Sequence, residues 1–194
     1  MVSPPVLEVF KAGNVRLITG PITDLLSNKL NLALLSNYQE NKNAFSEEEK
    51  KVIDKYVPWS RKMIPGSTTY GARTIKLPDF LLANKDKFIL KPANGYGGKD
   101  VLIGKRIPGG KWEELIKTAM SRKDWLVQEF VDSSPGLYQA GENGCERHDM
   151  VWGFFVLGST YAGAWVRVLP QKNNKGIINC HQGASVSLTF EVEE

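Results

Sequence analysis

Cysteine and histidine are scarce in this chain, with two of each among 194 residues. Cys145 and Cys180 are too few for a disulfide framework, so a cytoplasmic protein with free thiols is expected. Cys145 and His148 are spaced Cys-x-x-His, and Cys180 adjoins His181. These are residue types that tetrahedral zinc uses. Neighbours on a strand point to opposite faces, which argues against Cys180 and His181 sharing one ion. Long apolar runs are missing too. None reaches the length of a membrane span, and residues 1–20 lack the charged start and apolar core of a secretory leader, so no membrane partner is expected. Nor is there a block of basic charge. The net charge is +4 with the cations spread along the chain. That suits an anionic small molecule and gives little footing for nucleic acid.

The chain has a hydrophobic fraction of 42% and a charged fraction of 24%, which together fit a soluble globular protein of one moderate domain or two small ones. Residues 14–20 (NVRLITG) alternate and read as a short strand. Thr23 or Asp24 would cap a helix over 25–36, apolar nearly all round and therefore expected to be buried. Residues 37–44 form a polar connector. Ser46 followed by Glu49 is a capping box for a helix over 47–56 that Pro58 stops. An extended stretch begins at Val57-Pro58-Trp59-Ser60-Arg61. Leu77-Pro78-Asp79 starts a short helix through Ala83. Pro108-Gly109-Gly110 breaks the chain before an amphipathic helix over 111–120, with Trp112, Leu115, Ile116 and Ala119 on one face. Residues 125–131 (WLVQEFV) read as a buried strand and 133–148 as a long loop. Met150–Leu157 and Tyr161–Leu169 read as an antiparallel hairpin turning at Gly158-Ser159-Thr160. A polar loop over 170–176 and a final strand over 186–192 complete an α+β order, without the strict alternation of a doubly wound sheet.

Residues 88–104 (FILKPANGYGGKDVLIG) carry most of the chemistry. An apolar run ends in Lys91. A loop with Gly95, Gly97 and Gly98 follows, then Lys99 and a second apolar run, Val101-Leu102-Ile103. Read as strand, glycine-rich turn and strand, this suits phosphate, because glycines let backbone N–H groups approach an anion and lysine supplies a point charge. The same residues also fit a plain hairpin.

Three segments stand in a fixed order: the lysine strand with its glycine loop, the strand Val127-Gln128-Glu129-Phe130-Val131, and a hairpin ending in Arg167 followed by Asn179, His181 and Gly183. In this order the sequence resembles the ATP-grasp ligases, most closely their circularly permuted branch of glutathionylspermidine-synthase-like proteins. Leu90-Lys91-Pro92 with GYGGKDV is similar to that branch's lysine and phosphate-loop motif. Val57-Pro58-Trp59-Ser60-Arg61 is similar to its Pro-Trp-Thr-Arg segment, and Ser27-Asn28-Lys29 to its Asn-Lys helix start. Residues 14–190 are covered.

The resemblance implies an ATP-grasp-like α+β fold in which two small subdomains with antiparallel sheets close on ATP. Residues 1–56 would be the remnant of a preceding region, 57–132 one subdomain and 133–194 an incomplete second. Lys91, Gly95, Gly97, Gly98 and Lys99 would bind the ATP phosphates. Gln128, Glu129, Phe130 and Val131 would form the hinge strand at the adenine edge. Arg167 would be catalytic, holding the transferring phosphoryl group, and Asn179 would help to bind the nucleotide. The activity implied is amide formation from a small-molecule or peptide carboxylate and an amine. On the residues alone, Arg167 equally fits a solvated cross-strand partner. Trp59 and Arg61 read as packing and ion pairing rather than ligand contacts. Asp149 opens a strand where related ligases carry an acidic residue, yet Val151 stands where an arginine usually follows.

One departure bears on the metal. ATP-grasp ligases hold Mg²⁺ with acidic residues and an asparagine, expected here before Asn28, where Glu8 and Asp24 are the sole carboxylates and no Glu-x-Asn pair exists. The expectation is therefore that the Mg²⁺ ligands lie outside this chain, which would be the C-terminal part of a longer ligase. A non-catalytic nucleotide- or partner-binding module is the alternative. A protein-kinase reading fails on order, since there the glycine loop precedes the lysine strand. Nothing in the sequence sets an oligomeric state.

Overall fold

The fold was taken from a computed structural model that describes residues 4–16, 23–41, 44–139 and 144–192. It is α+β with antiparallel sheets. The chain divides into two compact units: Met1–Asn94 with Gly104–Glu129, and Gly95–Ile103 with Phe130–Glu194.

In the first unit, α1 (Pro4–Lys11), α2 (Thr23–Leu26), α3 (Leu30–Ser36) and α4 (Glu47–Tyr56) precede β1 (Ser60–Lys62), β2 (Ser67–Tyr70), β3 (Arg73–Lys76), α5 (Leu77–Ala83) and β4 (Phe88–Pro92). The short strand β5 (Leu102–Ile103) belongs to the second unit. α6 (Gly109–Arg122) and β6 (Trp125–Glu129) then complete the first. β6 lies between β1 and β4 and is antiparallel to both, with Gln128 opposite Ser60 on one side and Ile89 on the other. Trp125 through Gln128 are all buried, as expected of a central strand covered on both faces. β2 and β3 form a separate hairpin.

The core of this unit gathers Met63, Leu81, Phe88, Leu90, Trp112, Leu126 and Val127. Trp112 donates its indole N–H to the Leu81 carbonyl at 3.1 Å, so even this deeply buried ring leaves no orphan donor. Trp59, Tyr70, Phe80 and Phe88 form an aromatic cluster with centroid separations from 4.8 Å to 6.2 Å.

Several elements match the sequence closely. Ser46 Oγ accepts from the Glu49 N–H at 3.2 Å and the Glu49 carboxylate accepts from the Ser46 N–H at 2.7 Å, forming the capping box. The helix runs over 47–56 and α5 over 77–83, as read. α6 is longer than expected, spanning 109–122 and closing on Lys123 in the left-handed region.

The helix expected over 25–36 is broken. α2 stops at Leu26 and α3 starts at Leu30. Asn28 explains the break: its side-chain oxygen accepts the Leu30 N–H at 2.9 Å, and the Lys29 N–H turns away to the Ala93 carbonyl at 2.8 Å. Asn31 donates to the Leu25 and Leu26 carbonyls and so ends α2. Contrary to expectation, this leucine run is not buried. Ala33 is the sole fully buried residue of α3, whereas Leu25 and Leu34 are 69% and 55% exposed.

In the second unit, β7 (Pro135–Gln139), β8 (Cys145–Leu157), β9 (Thr160–Pro170) and β10 (Ser185–Ser187) form a sheet ordered β10-β9-β8-β7. The β8–β9 hairpin turns at Gly158 as read, with a register shift between Phe154 and Val156. The expected loop over 133–148 instead contains β7 and the start of β8, with Pro135 opposite Asp149 and Gln139 opposite Cys145. Its Gly, Ser and Glu content masked an edge strand that begins on proline, where a missing N–H is tolerated. The final strand is shorter than the alternation in 186–192 suggested. β10 stops at Ser187, and beyond it Thr189 Oγ1 donates to the Ala164 carbonyl. Leu188, Phe190 and Val192 stay exposed. Residues 14–16 form no strand, and 17–20 lie outside the described residues. No helix among the described residues is long and apolar enough to cross a membrane.

Candidate functional site

Within the first unit, the pairing of three strands brings Ser60, Gln128 and Lys91 together on one sheet face. Ser60 stands opposite Gln128. Ile89 also stands opposite Gln128, and Lys91 is two residues beyond Ile89 and therefore on the same face. Lys91 Nζ donates to Gln128 Oε1 at 2.6 Å. Gln128 Nε2 donates to Ser60 Oγ at 2.9 Å, and Ser60 Oγ donates to the Pro58 carbonyl at 2.8 Å. The Ser60 N–H is taken by Ser36 Oγ of α3 at 2.9 Å. Gln128 and Ser60 are buried, so this chain of bonds fixes the amide and through it the ammonium.

Burial lowers the pKa of Lys91 from its ordinary value, and the nearby charge of Lys29 lowers it further. Lys29 is itself lowered by burial. Two partly desolvated ammonium groups thus sit close enough to repel, which is a setting that an anion relieves. Lys29 was not singled out as a site residue from the sequence. Its signal was the Asn28-Lys29 pair, whose Asn28 bond and Lys29 N–H bond to Ala93 anchor the lysine beside the end of β4.

Glu129 follows Gln128 but uses its groups within the protein. Its N–H donates to the Trp59 carbonyl at 2.8 Å, and its carboxylate accepts from the Tyr70 hydroxyl at 2.9 Å, with burial and this bond raising the Tyr70 pKa. β6 ends at Glu129. Phe130 and Val131 lie beyond it at the start of the second unit, with Val131 65% exposed.

Trp59 and Arg61 have structural work. Arg61 is 7% exposed and stacks over the Trp59 ring at 4.9 Å. It donates to Thr68 Oγ1 at 2.7 Å, to the Ser36 and Ser60 carbonyls at 3.0 Å and 2.8 Å, and to the Thr69 carbonyl at 3.0 Å. Trp59 Nε1 donates to the same Thr69 carbonyl. Burial lowers the Arg61 pKa, and the charge of Glu40 opposes that shift.

Within the second unit, the glycine loop lies on the segment 177–181. Gly97 and Gly98 have φ of 68° and 73°, the left-handed region. A Cβ on Gly97 would come 3.3 Å from His181 Nδ1, and one on Gly98 would come 2.5 Å from Ile177 Cγ2. Turn geometry therefore favours glycine at both positions, and at Gly98 the close approach of Ile177 adds to it. Asp100 shares the left-handed conformation with φ of 59°, and Lys99 is exposed. Gly95 opens the loop. Asn179 caps the turn Cys180–Gln182, its Oδ1 accepting from the His181 N–H at 3.0 Å. The sequence-predicted Gly97, Gly98 and Asn179 are thus brought to one place, and Ile177, which the sequence did not mark, supports the loop.

Arg167 sits on β9, opposite Val151 and Val186. Its guanidinium lies 5.2 Å from the Trp165 ring, and its Nε is buried without a hydrogen-bond partner among the described residues. Such an orphan donor costs about 1–3 kcal/mol unless an acceptor reaches it. Asp149 is buried, with one carboxylate oxygen accepting from Gln171 at 3.0 Å and the other from Asn174. It ties the 171–174 turn to the sheet. Glu146 pairs with Lys172 at 2.6 Å.

These carboxylates do not form a site for Mg²⁺. Glu129, Glu146 and Asp149 are engaged by protein donors, and no group of three His, Cys, Asp or Glu among the described residues could hold a metal ion. Comparison with known proteins adds no family: no protein-family model matches the chain, and no curated protein matches it.

Proposed function

We propose that this chain is the ATP-binding part of an ATP-dependent carboxylate–amine ligase with an ATP-grasp-like fold. The observation that carries the reading is the Lys91–Lys29 pair: two ammonium groups with lowered pKa, one of them aimed by the buried Gln128–Ser60 relay. Phosphate oxygens would relieve their repulsion. Further support comes from the second unit, where the left-handed glycines lie against Ile177 and His181 and Arg167 keeps an unused buried donor.

In the proposed reaction a substrate carboxylate oxygen attacks the γ-phosphorus of ATP and ADP leaves. The amine nitrogen then attacks the acyl carbon, phosphate leaves with the bonding electron pair, and the nitrogen loses a proton. Lys91 and Lys29 hold the triphosphate, and the planar fork of Arg167 suits the oxygens of the acyl phosphate. No step is assigned to Mg²⁺ on the residues present.

The engagement of Glu129, Glu146 and Asp149 by protein donors favours a second reading, a nucleotide-binding module without catalysis. ADP release that requires both an added carboxylate and an added amine would establish the ligase. ATP binding with no ADP release, in this chain and in a longer one, would leave the module.

A further inference from the structure

A cavity of about 530 Å³ opens in the first unit, between α2, α3 and the segment from β1 to β2. Its volume lies in the range of small-molecule sites, roughly 300–1,000 Å³. The walls are mixed. Leu34, Ile64 and Pro65 give an apolar side, with Leu34 55% and Ile64 47% exposed. The leucine run that the sequence marked for burial therefore faces open space.

The charged lining is two cations against one carboxylate: Arg61, Lys62 and Glu40. Arg61 is more than nine-tenths buried, and all its donors go to neutral oxygens. A guanidinium keeps its charge at any ordinary pH; this one forms no ion pair among the described residues, and the charge of Glu40 acts on it from the same lining. Lys62 is exposed, and its ammonium has no hydrogen bond or ion pair among the described residues.

We infer that this cavity binds a small amphipathic carboxylate, its apolar body against Leu34, Ile64 and Pro65 and its carboxylate at Lys62. The filled donors of Arg61 leave the direct contact to Lys62, while the buried guanidinium adds its field. The lining's excess positive charge selects the acid over an amine of the same shape. Glu40 alone would favour the reverse.

Octanoate and octylammonium, equal in chain length and opposite in charge, test this when titrated separately below their micelle concentrations. Methyl NMR at Leu34 and Ile64 is the readout, with light scattering alongside. Octanoate should move both residues' methyl resonances saturably while the chain's size is unchanged. Lys62→Glu should weaken that binding by at least about tenfold and leave the rest of the spectrum in place. If that variant fails to fold, Lys62→Gln serves, with a weakening of the same sign expected. Three results would overturn the inference: no saturable shift at these methyls, octylammonium binding as tightly as octanoate, or unchanged octanoate binding in the folded Lys62 variant. A shift that appears only with dimerisation would also overturn it, making a second copy the occupant.

Discussion

Burying an ammonium beside a second ammonium lowers the pH at which it sheds its proton. Lys91 is in that position, through burial first and Lys29 second. A triphosphate binds the charged form, so ATP affinity should be full below the lowered pKa and should fall as pH rises through it towards 10.5. Calorimetry from neutral pH upward should show this decline, and a shallower one in Lys91→Ala. Without ligand, the same shift acts on stability in the opposite direction. The unfolded chain holds the Lys91 proton up to about 10.5, so the folded protein carries a penalty below the lowered pKa that is relieved as pH rises through that window. The lysine was legible in the sequence because it ends an apolar run before glycines. Ser60, which holds the Gln128 amide that Lys91 bonds to, was not, since a serine opposite a glutamine becomes visible only once β1 and β6 are in register.

Elements were legible where the signal was local. The Ser46–Glu49 capping box and the Leu77-Pro78-Asp79 start are complete within four residues, and both helices form with the bounds read. Elements that depend on a partner were not. The alternation over 186–192 gave a strand pattern but no neighbour, and β10 stops at Ser187. The apolar helix over 25–36 was broken by Asn28, whose side chain competes with the helix for the Leu30 N–H. The glycine loop belongs to both classes: its glycines were readable, but its support on Ile177 was not. Gly98→Ala should therefore do more than add a methyl group. The left-handed conformation costs alanine about 1–2 kcal/mol, and the Cβ meets Ile177 Cγ2. A lower melting temperature is expected, and Gly98→Ala should cause a smaller fall when introduced into Ile177→Ala than into the unaltered chain, because the clash is then removed and the conformational strain remains. Equal falls would mean that Ile177 does not press on the loop.

At the scale of the whole molecule, the α+β class follows from apolar runs and turns that the sequence displays, the antiparallel sheets were what the resemblance implied, and the structure has both. The chain passes between the two units at Asn94–Gly95, Ile103–Gly104 and Glu129–Phe130, so the glycine loop and the end of the expected hinge strand fall at the crossings. The candidate residues are shared out accordingly: Lys29, Lys91 and Gln128 in one unit, Gly97, Gly98, Arg167 and Asn179 in the other. The central claim is that the lysine pair binds ATP. Calorimetric titration of the chain with ATP, beside Lys91→Ala and Lys29→Ala, tests it most directly. Binding near micromolar, weakened at least tenfold (about 1.4 kcal/mol) by either substitution, is the expected result. Absence of binding, or equal affinity in all three proteins, would contradict it.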